Sequence, residues 1–177
     1  MTVTQRAKRI RVLLMDVDGV LTDGRIWLLS MPDGKAAEIK GFSAYDGAAV
    51  NLAGSAGLRT GLITGRESAA VSRRAAEMKM EFVYQKRAEK IPAYEEILRK
   101  AGVSDADVAY IADDLPDLPI LMRVGLRVAV ANAAPEVKRA AHYVTRRTGG
   151  DGAVREVVEL ILKAQGKWRK ASREATA

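Results

Sequence analysis

Short apolar runs alternate with segments of helical length along most of this chain of 177 residues. Residues 11–15, 59–63 and 108–112 are runs typical of buried strands, and the segments between them carry helical periodicity. Strands separated by helices in this way form βαβ units, in which the strands are parallel and the helices cover the sheet. The sequence therefore predicts an α/β fold, a Rossmann-like parallel sheet with helices on both faces.

A β-hairpin insertion is predicted directly after the first strand. Residues 26–30 and 37–42 are β-rich and flank Pro32-Asp33-Gly34, a sequence typical of a tight turn. The alternation then continues to residue 164 without an internal repeat. The further predicted elements are strands 82–84, 128–130 and 143–144, and helices 46–56, 67–78, 89–101, 116–124, 135–141 and 152–164.

The net charge of +7 comes from the two ends of the chain. Residues 1–11 and residues 163–177 each carry a net +4, which leaves −1 for the body between them. Aromatic side chains are not interleaved with the arginines, as a stacking platform for nucleic acid requires. Trp168 is a large ring in an otherwise polar segment and is a candidate anchor. We therefore expect no nucleic-acid partner, a basic N-terminal arm over 1–10, one domain over 11–164 with its hairpin at 25–42, and a mobile basic tail over 165–177.

Composition excludes several kinds of site. The chain has no cysteine, so that disulfides, thiolate nucleophiles and cysteine-bound zinc are excluded. Its single histidine, His142, excludes a histidine-rich metal site and is interpreted as structural. No apolar run has the length needed to cross a bilayer, and the basic N-terminus lacks an apolar signal segment. We therefore expect a cytoplasmic protein with no membrane partner.

Polar side chains follow the predicted strands at one edge of the sheet. In open α/β sheets, ligands bind at the carboxyl ends of the parallel strands. Because independent segments bring polar groups to this edge, we expect one composite site there. The groups are Asp16 and Asp18 after the first strand, Thr64, Gly65 and Arg66 after the second, Lys90 after the third, and Asp113, Asp114 and Asp117 after the fourth.

Carboxylates packed this closely repel each other unless they share a cation. Oxygen ligands without histidine or cysteine favour Mg²⁺ or a similar hard ion. An EF-hand calcium site is excluded because Gly19 comes too early and Trp27 stands where a bidentate glutamate is required. Asp23 lies beyond the turn and is interpreted as a cap or turn residue that supports the loop.

Phosphate is the ligand that the remaining groups favour. Thr64 and Gly65 offer a hydroxyl and backbone N–H groups near a helix N-terminus, and Lys90 adds a positive charge. A Walker loop is excluded because GxxxxGK[ST] is absent. Without cysteine, the candidate covalent nucleophile for a phosphoryl group is a carboxylate.

Four motifs in order resemble the haloacid dehalogenase superfamily of aspartate-nucleophile phosphatases. They are "MDVDGVLTDG", "LITGR", Lys90 and "IADDLPD", and the resemblance covers residues 12 to about 158. It implies that Asp16 is the nucleophile and that Asp18 is the acid and base. It also implies that Thr64 and Lys90 hold the phosphoryl oxygens. The implied Mg²⁺ ligands are Asp16, Asp18 through its main-chain carbonyl, and Asp113, with Asp114 as an additional partner.

The intervals between these motifs lack room for a cap domain, so that the chain resembles the capless branch. Its length, its hairpin and "GGDGAVREVVELILKAQGK" are similar to 3-deoxy-D-manno-octulosonate 8-phosphate phosphatases. In that family the hairpins assemble a tetramer and the C-terminal tail can reach a neighbouring active site. The resemblance therefore implies a homotetramer through the hairpin, a small phosphorylated sugar-acid substrate and a place in lipopolysaccharide biosynthesis.

The resemblance also implies a substrate site, with departures from the family pattern. Arg66 and Arg74 match positions that recognise the acidic sugar, and a guanidinium fork suits a carboxylate. Tyr45 and Asn51 stand where arginines are usual, which removes positive charge near the sugar, and Ala112 replaces a glycine. The implied substrate-binding residues are Asp18, Tyr45, Asp46, Gly47, Gly65, Arg66, Arg74 and Lys90.

Three alternatives stay open. A nonulosonate 9-phosphate phosphatase, or one for another phosphorylated sugar, is the nearest, although Arg66 favours the octulosonate because the nonulosonate branch tends to carry an acid there. A phosphosugar mutase uses the same aspartates but generally needs a cap to exclude water. A non-catalytic interaction module would not need all five of the residues Asp16, Asp18, Thr64, Lys90 and Asp113.

Overall fold

The apolar runs of the sequence form a single parallel sheet at the centre of the protein. The structure is a computed structural model that describes residues 1–174. Six strands are hydrogen-bonded in the order β5-β4-β1-β6-β7-β8, and two more form a separate antiparallel hairpin. The strands are β1 Val12–Met15, β2 Trp27–Ser30, β3 Ala36–Ile39, β4 Arg59–Ile63, β5 Phe82–Tyr84, β6 Val108–Ala112, β7 Leu126–Ala129 and β8 Tyr143–Val144.

Helices cover this sheet in two groups. α7 contacts α1, α2 and α8, and α2 also contacts α8, whereas α5 contacts both α4 and α6. The predicted α/β fold with its hairpin insertion is confirmed. The helices are α1 Val3–Ala7, α2 Ala44–Ser55, α3 Ala69–Glu77, α4 Ile91–Ala101, α5 Leu118–Leu121, α6 Pro135–Ala140, α7 Ala153–Ala164 and α8 Trp168–Glu174, with 3₁₀ turns at Asp105–Asp107 and Leu115–Asp117.

The strand order reverses beside β1. From β1 the chain runs outwards to β4 and β5, and then returns to the other side of β1 to form β6, β7 and β8. Such a reversal opens a crevice at the carboxyl ends of the two central strands. The residues directly after β1 and β6 are Asp16 and Asp113, so that the topology brings two of the predicted site residues to this crevice.

The β2–β3 hairpin leaves much of its apolar surface in solvent. Its strands pair from Trp27 opposite Ile39 to Ser30 opposite Ala36, as the turn residues predicted. Large apolar side chains of the hairpin are exposed to solvent rather than packed on the rest of the chain. The exposed ones are Ile26, Trp27, Leu28, Leu29, Met31 and Ile39.

Both ends of the described chain are folded, which corrects one prediction. The expected mobile tail contains α8, which packs against α2 and α7. Trp168 packs on the core, as an anchor would, and Ala171 is buried. The sequence signal was weak because, between Trp168 and Arg173, only Ala171 is fully buried, and Trp168 is partly buried one turn before it. Residues 175–177 of the predicted tail lie outside the described residues.

Local boundaries also differ from prediction after β6. The predicted helix 116–124 is instead the 3₁₀ turn Leu115–Asp117 followed by the single helical turn of α5. Pro116 and Pro119 lie within this stretch and have no N–H to donate, so that a regular helix cannot run through it. Among residues 1–174, no helix combines the length and apolar character that crossing a bilayer requires.

Candidate active site

A tight loop after β1 places the first two carboxylates. The N–H groups of Val20, Leu21 and Thr22 all donate to the carbonyl of Val17. The Thr22 hydroxyl accepts the N–H of Gly19 at 3.3 Å. This turn ends the strand at Met15 and leaves Asp16 as the first residue beyond it, almost fully buried.

Gly19 is required in this loop for two reasons. Its φ is +93°, a backbone conformation that residues other than glycine rarely adopt. A Cβ at this position would also overlap the Asp113 carboxylate. The loop after β1 therefore packs directly on the carboxylate that follows β6.

Asp23 holds the far end of this loop, as predicted. Its Oδ1 accepts the N–H of Arg25 at 2.9 Å, which makes an Asx-type turn before the hairpin. Its Oδ2 lies 3.1 Å from the Arg25 guanidinium at the exposed surface.

Three carboxylates converge in the crevice. One oxygen each of Asp16, Asp113 and Asp117 lies within 4.8 Å of the other two. Asp117 was placed by the sequence among the polar groups at this edge but received no predicted role; it is fully buried. Its position four residues after Asp113, at the end of the 3₁₀ turn Leu115–Asp117, is the signal that could have identified it.

Lys90 supplies a positive charge that pairs with this carboxylate cluster. Its Nζ donates to Asp16 Oδ1 and to Asp117 Oδ1, each at 2.6 Å. The Tyr110 hydroxyl also donates to Asp117 Oδ1 at 2.6 Å. Lys90 is buried at the start of α4, so that its ammonium group is paired with these two acids rather than hydrated by solvent.

The close packing of these charged groups shifts the pKa values of Asp16, Asp113 and Lys90. Burial, with the Asp117 charge second, raises the pKa of Asp16 to about 6, although Lys90 opposes the shift. Burial and the neighbouring Asp16 and Asp117 charges raise the pKa of Asp113 to about 7. Burial lowers the pKa of Lys90, but Asp16 and Asp117 outweigh it and raise the pKa above its usual value.

The cluster fits a hard divalent cation. One oxygen of Asp113 is buried and has no hydrogen-bond partner among the described residues, although its carboxylate faces two further acids. An all-oxygen donor set of this kind suits Mg²⁺. Lys90 alone leaves three acids with one cation, so that a bound metal ion would relieve the remaining repulsion.

Asp114, a predicted metal partner, lies differently from its neighbour. Its side chain is exposed and accepts the N–H of Leu115 at 2.8 Å, which caps the 3₁₀ turn. Among the described residues, the three-carboxylate cluster contains Asp117 rather than Asp114.

Thr64, Gly65 and Arg66 follow β4, as predicted. The Thr64 side chain is buried, and its main-chain carbonyl accepts the N–H of Arg87 at 3.0 Å, which ties it to the segment before α4. Gly65 is exposed, and a Cβ at this position would lie 4.0 Å from the nearest backbone atoms, in Arg87 and Ala88. Arg66 turns towards the hairpin, where its Nη2 donates to Glu38 Oε2 at 2.6 Å.

Asp18 is held by cations from two elements. Lys40, one residue after β3, donates to Asp18 Oδ1, and Arg66 Nε lies 3.7 Å from Asp18 Oδ2. Glu38 completes the group, with its Oε1 3.7 Å from Lys40 Nζ. Glu38 and Lys40 are not among the predicted site residues, because nothing in the sequence of a surface hairpin indicates which residue reaches the sheet edge.

Two residues at the start of α2 that were predicted to bind the sugar, Tyr45 and Asp46, lie in different environments. Asp46 is fully buried and accepts the N–H groups of Arg155 at 2.8 Å and Gly152 at 3.2 Å, at the start of α7. Burial raises the pKa of Asp46. Its carboxylate is therefore occupied within the chain, which differs from the predicted substrate contact. Tyr45 is exposed and, with Gly152 and Arg155, lines a cavity of about 490 Å³.

Gly47 and Arg74 belong together. A Cβ on Gly47 would overlap the Arg74 guanidinium. Arg74 Nη2 donates to the carbonyl of Ser43 at 3.1 Å, and its Nη1 lies 3.2 Å from Glu77. Asn51, one of the departures noted above, donates to the carbonyl of Glu77. Arg74 is thus fixed beside the start of α2 rather than on a solvated helix face.

His142 lies outside the crevice, in agreement with its structural interpretation. Its Nδ1 accepts the N–H of Arg127 at 3.1 Å, and its own N–H donates to the Arg127 carbonyl. Burial lowers the pKa of His142. The ring therefore joins the outer strands of the sheet.

Comparison with known proteins agrees with this geometry. Residues 70–157 match the family model of haloacid dehalogenase-like hydrolases. The chain is 41% identical over 169 residues to 3-deoxy-D-manno-octulosonate 8-phosphate phosphatase KdsC of Escherichia coli K12, covering 96% of this chain and 88% of that protein.

Two solved structures are similar over nearly the whole chain. The phosphatase of the same name from Yersinia pestis is 43% identical, with a TM-score of 0.89, over 94% of this chain and 88% of that one. The Moraxella catarrhalis phosphatase, solved in complex with magnesium ion, phosphate ion and KDO, is 38% identical, with a TM-score of 0.91, over 97% of both chains.

Proposed function

Because the chain belongs to the haloacid dehalogenase-like hydrolases, among the 3-deoxy-D-manno-octulosonate 8-phosphate phosphatases, we propose that it hydrolyses that phosphomonoester to the free sugar acid and inorganic phosphate. The observation that carries this proposal is the cluster of Asp16, Asp113 and Asp117, in which Lys90 Nζ lies 2.6 Å from the buried Asp16 and Asp117. A cluster of carboxylates that also contains a cation suits phosphoryl transfer, because the negatively charged nucleophile must approach the negatively charged phosphate.

In the first chemical step, Asp16 is the nucleophile. Its carboxylate oxygen forms a bond to phosphorus while the bond from phosphorus to the sugar oxygen breaks. Asp18 donates a proton to the departing oxygen, so that the sugar leaves as an alcohol. Lys90 keeps Asp16 ionised and offsets its repulsion of the incoming phosphate.

In the second step, water hydrolyses the aspartyl-phosphate. Asp18, now ionised, accepts a proton from the water as its oxygen attacks phosphorus. The bond from phosphorus to the Asp16 oxygen breaks, which regenerates the carboxylate and releases phosphate. Asp16 and Asp18 are thus returned to their starting protonation states.

Mg²⁺ is the proposed cofactor. Asp16, Asp113 and the main-chain carbonyl of Asp18 would hold it, with Asp114 as an additional partner and Asp117 supporting the cluster through Lys90. When bound, the ion supplies positive charge that draws nucleophile and phosphate together and stabilises the transferring group.

The remaining predicted residues are assigned to the substrate. Thr64, Gly65 and Lys90 would receive the phosphoryl oxygens at the strand ends. Arg66 and Arg74 would bind the sugar carboxylate, because a guanidinium pairs with a carboxylate through two hydrogen bonds. In this assignment Tyr45 offers an exposed ring to the sugar, whereas Asp46 and Gly47 act indirectly by holding α7 and Arg74 in place.

We further propose that the domain, residues 11–164, assembles as a homotetramer through the hairpin and works in the cytoplasm. The exposed apolar side chains of Trp27, Leu28 and Leu29 support the assembly, since such a patch is typical of an interface. Sizing in solution at micromolar concentration tests it. A monomer would refute the tetramer, and Leu28→Glu should dissociate it while Lys35→Glu, at the exposed turn, should not.

A substrate panel tests the activity. We expect Mg²⁺-dependent phosphate release from 3-deoxy-D-manno-octulosonate 8-phosphate to exceed that from nonulosonate 9-phosphates and other sugar phosphates. Asp16→Asn should abolish it, because an amide oxygen is a poor nucleophile. Equal phosphate release by Asp16→Asn and wild type would refute the mechanism, and no preference within the panel would leave only a general phosphatase.

A further inference from the structure

Four charged side chains form a closed ring of alternating sign beside the carboxylate cluster. Lys40 contacts Asp18 Oδ1 and lies 3.7 Å from Glu38 Oε1. Arg66 contacts Glu38 Oε2 at 2.6 Å and lies 3.7 Å from Asp18 Oδ2. Each oxygen of Asp18 therefore faces a different cation, one from the hairpin and one from the loop after β4.

Lys40 is the most buried member of this ring. Its side chain is 0% exposed, whereas those of Asp18 and Glu38 are each 19% exposed. Lys35, on the same hairpin, is 83% exposed and pairs with Asp33 in solvent. Removing an ammonium group from water is costly unless it is paired, so that the burial of Lys40 is maintained by its two carboxylates.

Such a buried contact restricts the Asp18 carboxylate in a way that a surface pair does not. Exposed ion pairs contribute little and order their partners weakly. Here Lys40 approaches one oxygen while Arg66 approaches the other, so that rotation of the carboxyl group about its own bond would break both contacts. Proton transfer depends on such orientation, because the donor oxygen must point at the atom that receives the proton.

We propose that Lys40 is a positioning residue, which orients the Asp18 carboxyl group for proton donation to the leaving oxygen. Glu38 supports it as the second carboxylate beside the Lys40 ammonium group, 3.7 Å away. This inference rests on the proposed phosphatase activity but not on the identity of the sugar. It also links the hairpin to the chemistry, since Lys40 follows β3 directly.

The test uses the leaving group as its readout. Phenyl phosphate and p-nitrophenyl phosphate are similar in size, but phenolate is the more basic leaving group and needs the proton more. The ratio kcat/KM reports the steps up to cleavage of the ester, which is the step where Asp18 donates. A loss of orientation therefore reduces kcat/KM more for phenyl phosphate, whereas a merely structural loss reduces both equally.

We expect Lys40→Met to reduce kcat/KM for phenyl phosphate by about tenfold more than for p-nitrophenyl phosphate, a modest part of a general acid's usual contribution. Glu38→Gln should shift the same ratio in the same direction by a smaller factor. Lys35→Met, on the same hairpin but in solvent, should leave the ratio at its wild-type value. Thermal unfolding of each variant shows whether the fold is intact.

A Lys40→Met variant that lowers both kcat/KM values by one factor, or lowers neither, overturns the positioning role. Wild type that cleaves the aryl phosphates but not the octulosonate phosphate overturns the proposed substrate and leaves this test valid. Wild type that cleaves no phosphomonoester overturns both the proposed function and the inference.

Discussion

Lys90 and Asp117 form a buried ion pair, with 2.6 Å between Lys90 Nζ and Asp117 Oδ1. The same Nζ lies 2.6 Å from Asp16, so that one ammonium group joins the proposed nucleophile to a second acid on the turn after β6. Removing one member of a buried pair is more costly than removing a surface pair, because a charge stays behind without its partner.

Replacement of Lys90 should therefore impair activity far more than replacement of a nearby surface lysine. We expect Lys90→Met to lower phosphate release by at least about 100-fold, because it removes both the charge that keeps Asp16 ionised and a contact to phosphate. Lys86→Met is the matched control, since Lys86 pairs with Glu67 at the exposed surface. Comparable losses in the two variants would contradict this role of Lys90.

The stability of the metal-free protein should fall as the pH rises from about 5 to 7. The pKa values of Asp16, about 6, and Asp113, about 7, lie above those of unfolded aspartate, so that the folded state binds more protons in this range. The unfolding free energy then decreases by roughly 1–2 kcal/mol per pH unit from these two groups.

Chemical denaturation in a metal chelator measures this slope. Asp113→Asn should make it shallower, and the difference between the two proteins removes the contributions of His142 and other groups that they share. Mg²⁺ at pH 7.5 should stabilise wild type but not Asp113→Asn, because the ion binds ionised carboxylates. Parallel slopes in wild type and Asp113→Asn would show that this carboxylate is not buried among acids.

Gly19→Ala should weaken metal binding by displacing Asp113. The added Cβ would overlap the Asp113 carboxylate, and the residue has a φ of +93°. Gly34→Ala, in the hairpin turn, is the matched control because its φ is +80° but no atom lies within 4 Å of the added Cβ. We expect the Mg²⁺ concentration at half-maximal activity to rise by at least about tenfold in Gly19→Ala only, as supporting groups of metal sites do.

Asp46→Ala should reduce stability more than it reduces substrate affinity. The variant leaves the N–H groups of Gly152 and Arg155 at the start of α7 without their acceptor, which costs about 1–3 kcal/mol. Denaturant unfolding measures this loss, with exposed Asp33→Ala as the control. An unchanged unfolding free energy together with a large rise in KM would favour the direct substrate contact that the sequence predicted.

The positions of the principal site residues along the chain could be predicted because they depend on local sequence. An apolar run that ends at Met15 makes Asp16 the first residue beyond a buried strand, and the run that ends at Ala112 does the same for Asp113. In a parallel sheet these strand ends lie at the same edge regardless of the conformation of the loops. The motifs then identified the family, which the comparisons confirmed.

Residues whose partners lie far away in the chain could not be predicted in this way. Lys40 is 22 residues from Asp18, and its burial depends on how the hairpin folds back on the sheet edge. Asp46 reaches an N–H 109 residues away, and this long-range contact decides that its carboxylate caps a helix. No periodicity carries such information, because it is set by the packing of separate elements.

The α/β class, the hairpin, the strand ends and the acids that follow them are encoded in local sequence, since strand periodicity and turn chemistry act over a few neighbouring residues. The pairing of each cation with its acid depends on the packing of distant elements: Lys90 pairs with Asp16 and Asp117, and Lys40 pairs with Asp18. Electrostatic energy depends on distance and burial rather than on separation along the chain, and those quantities exist only once the elements have packed.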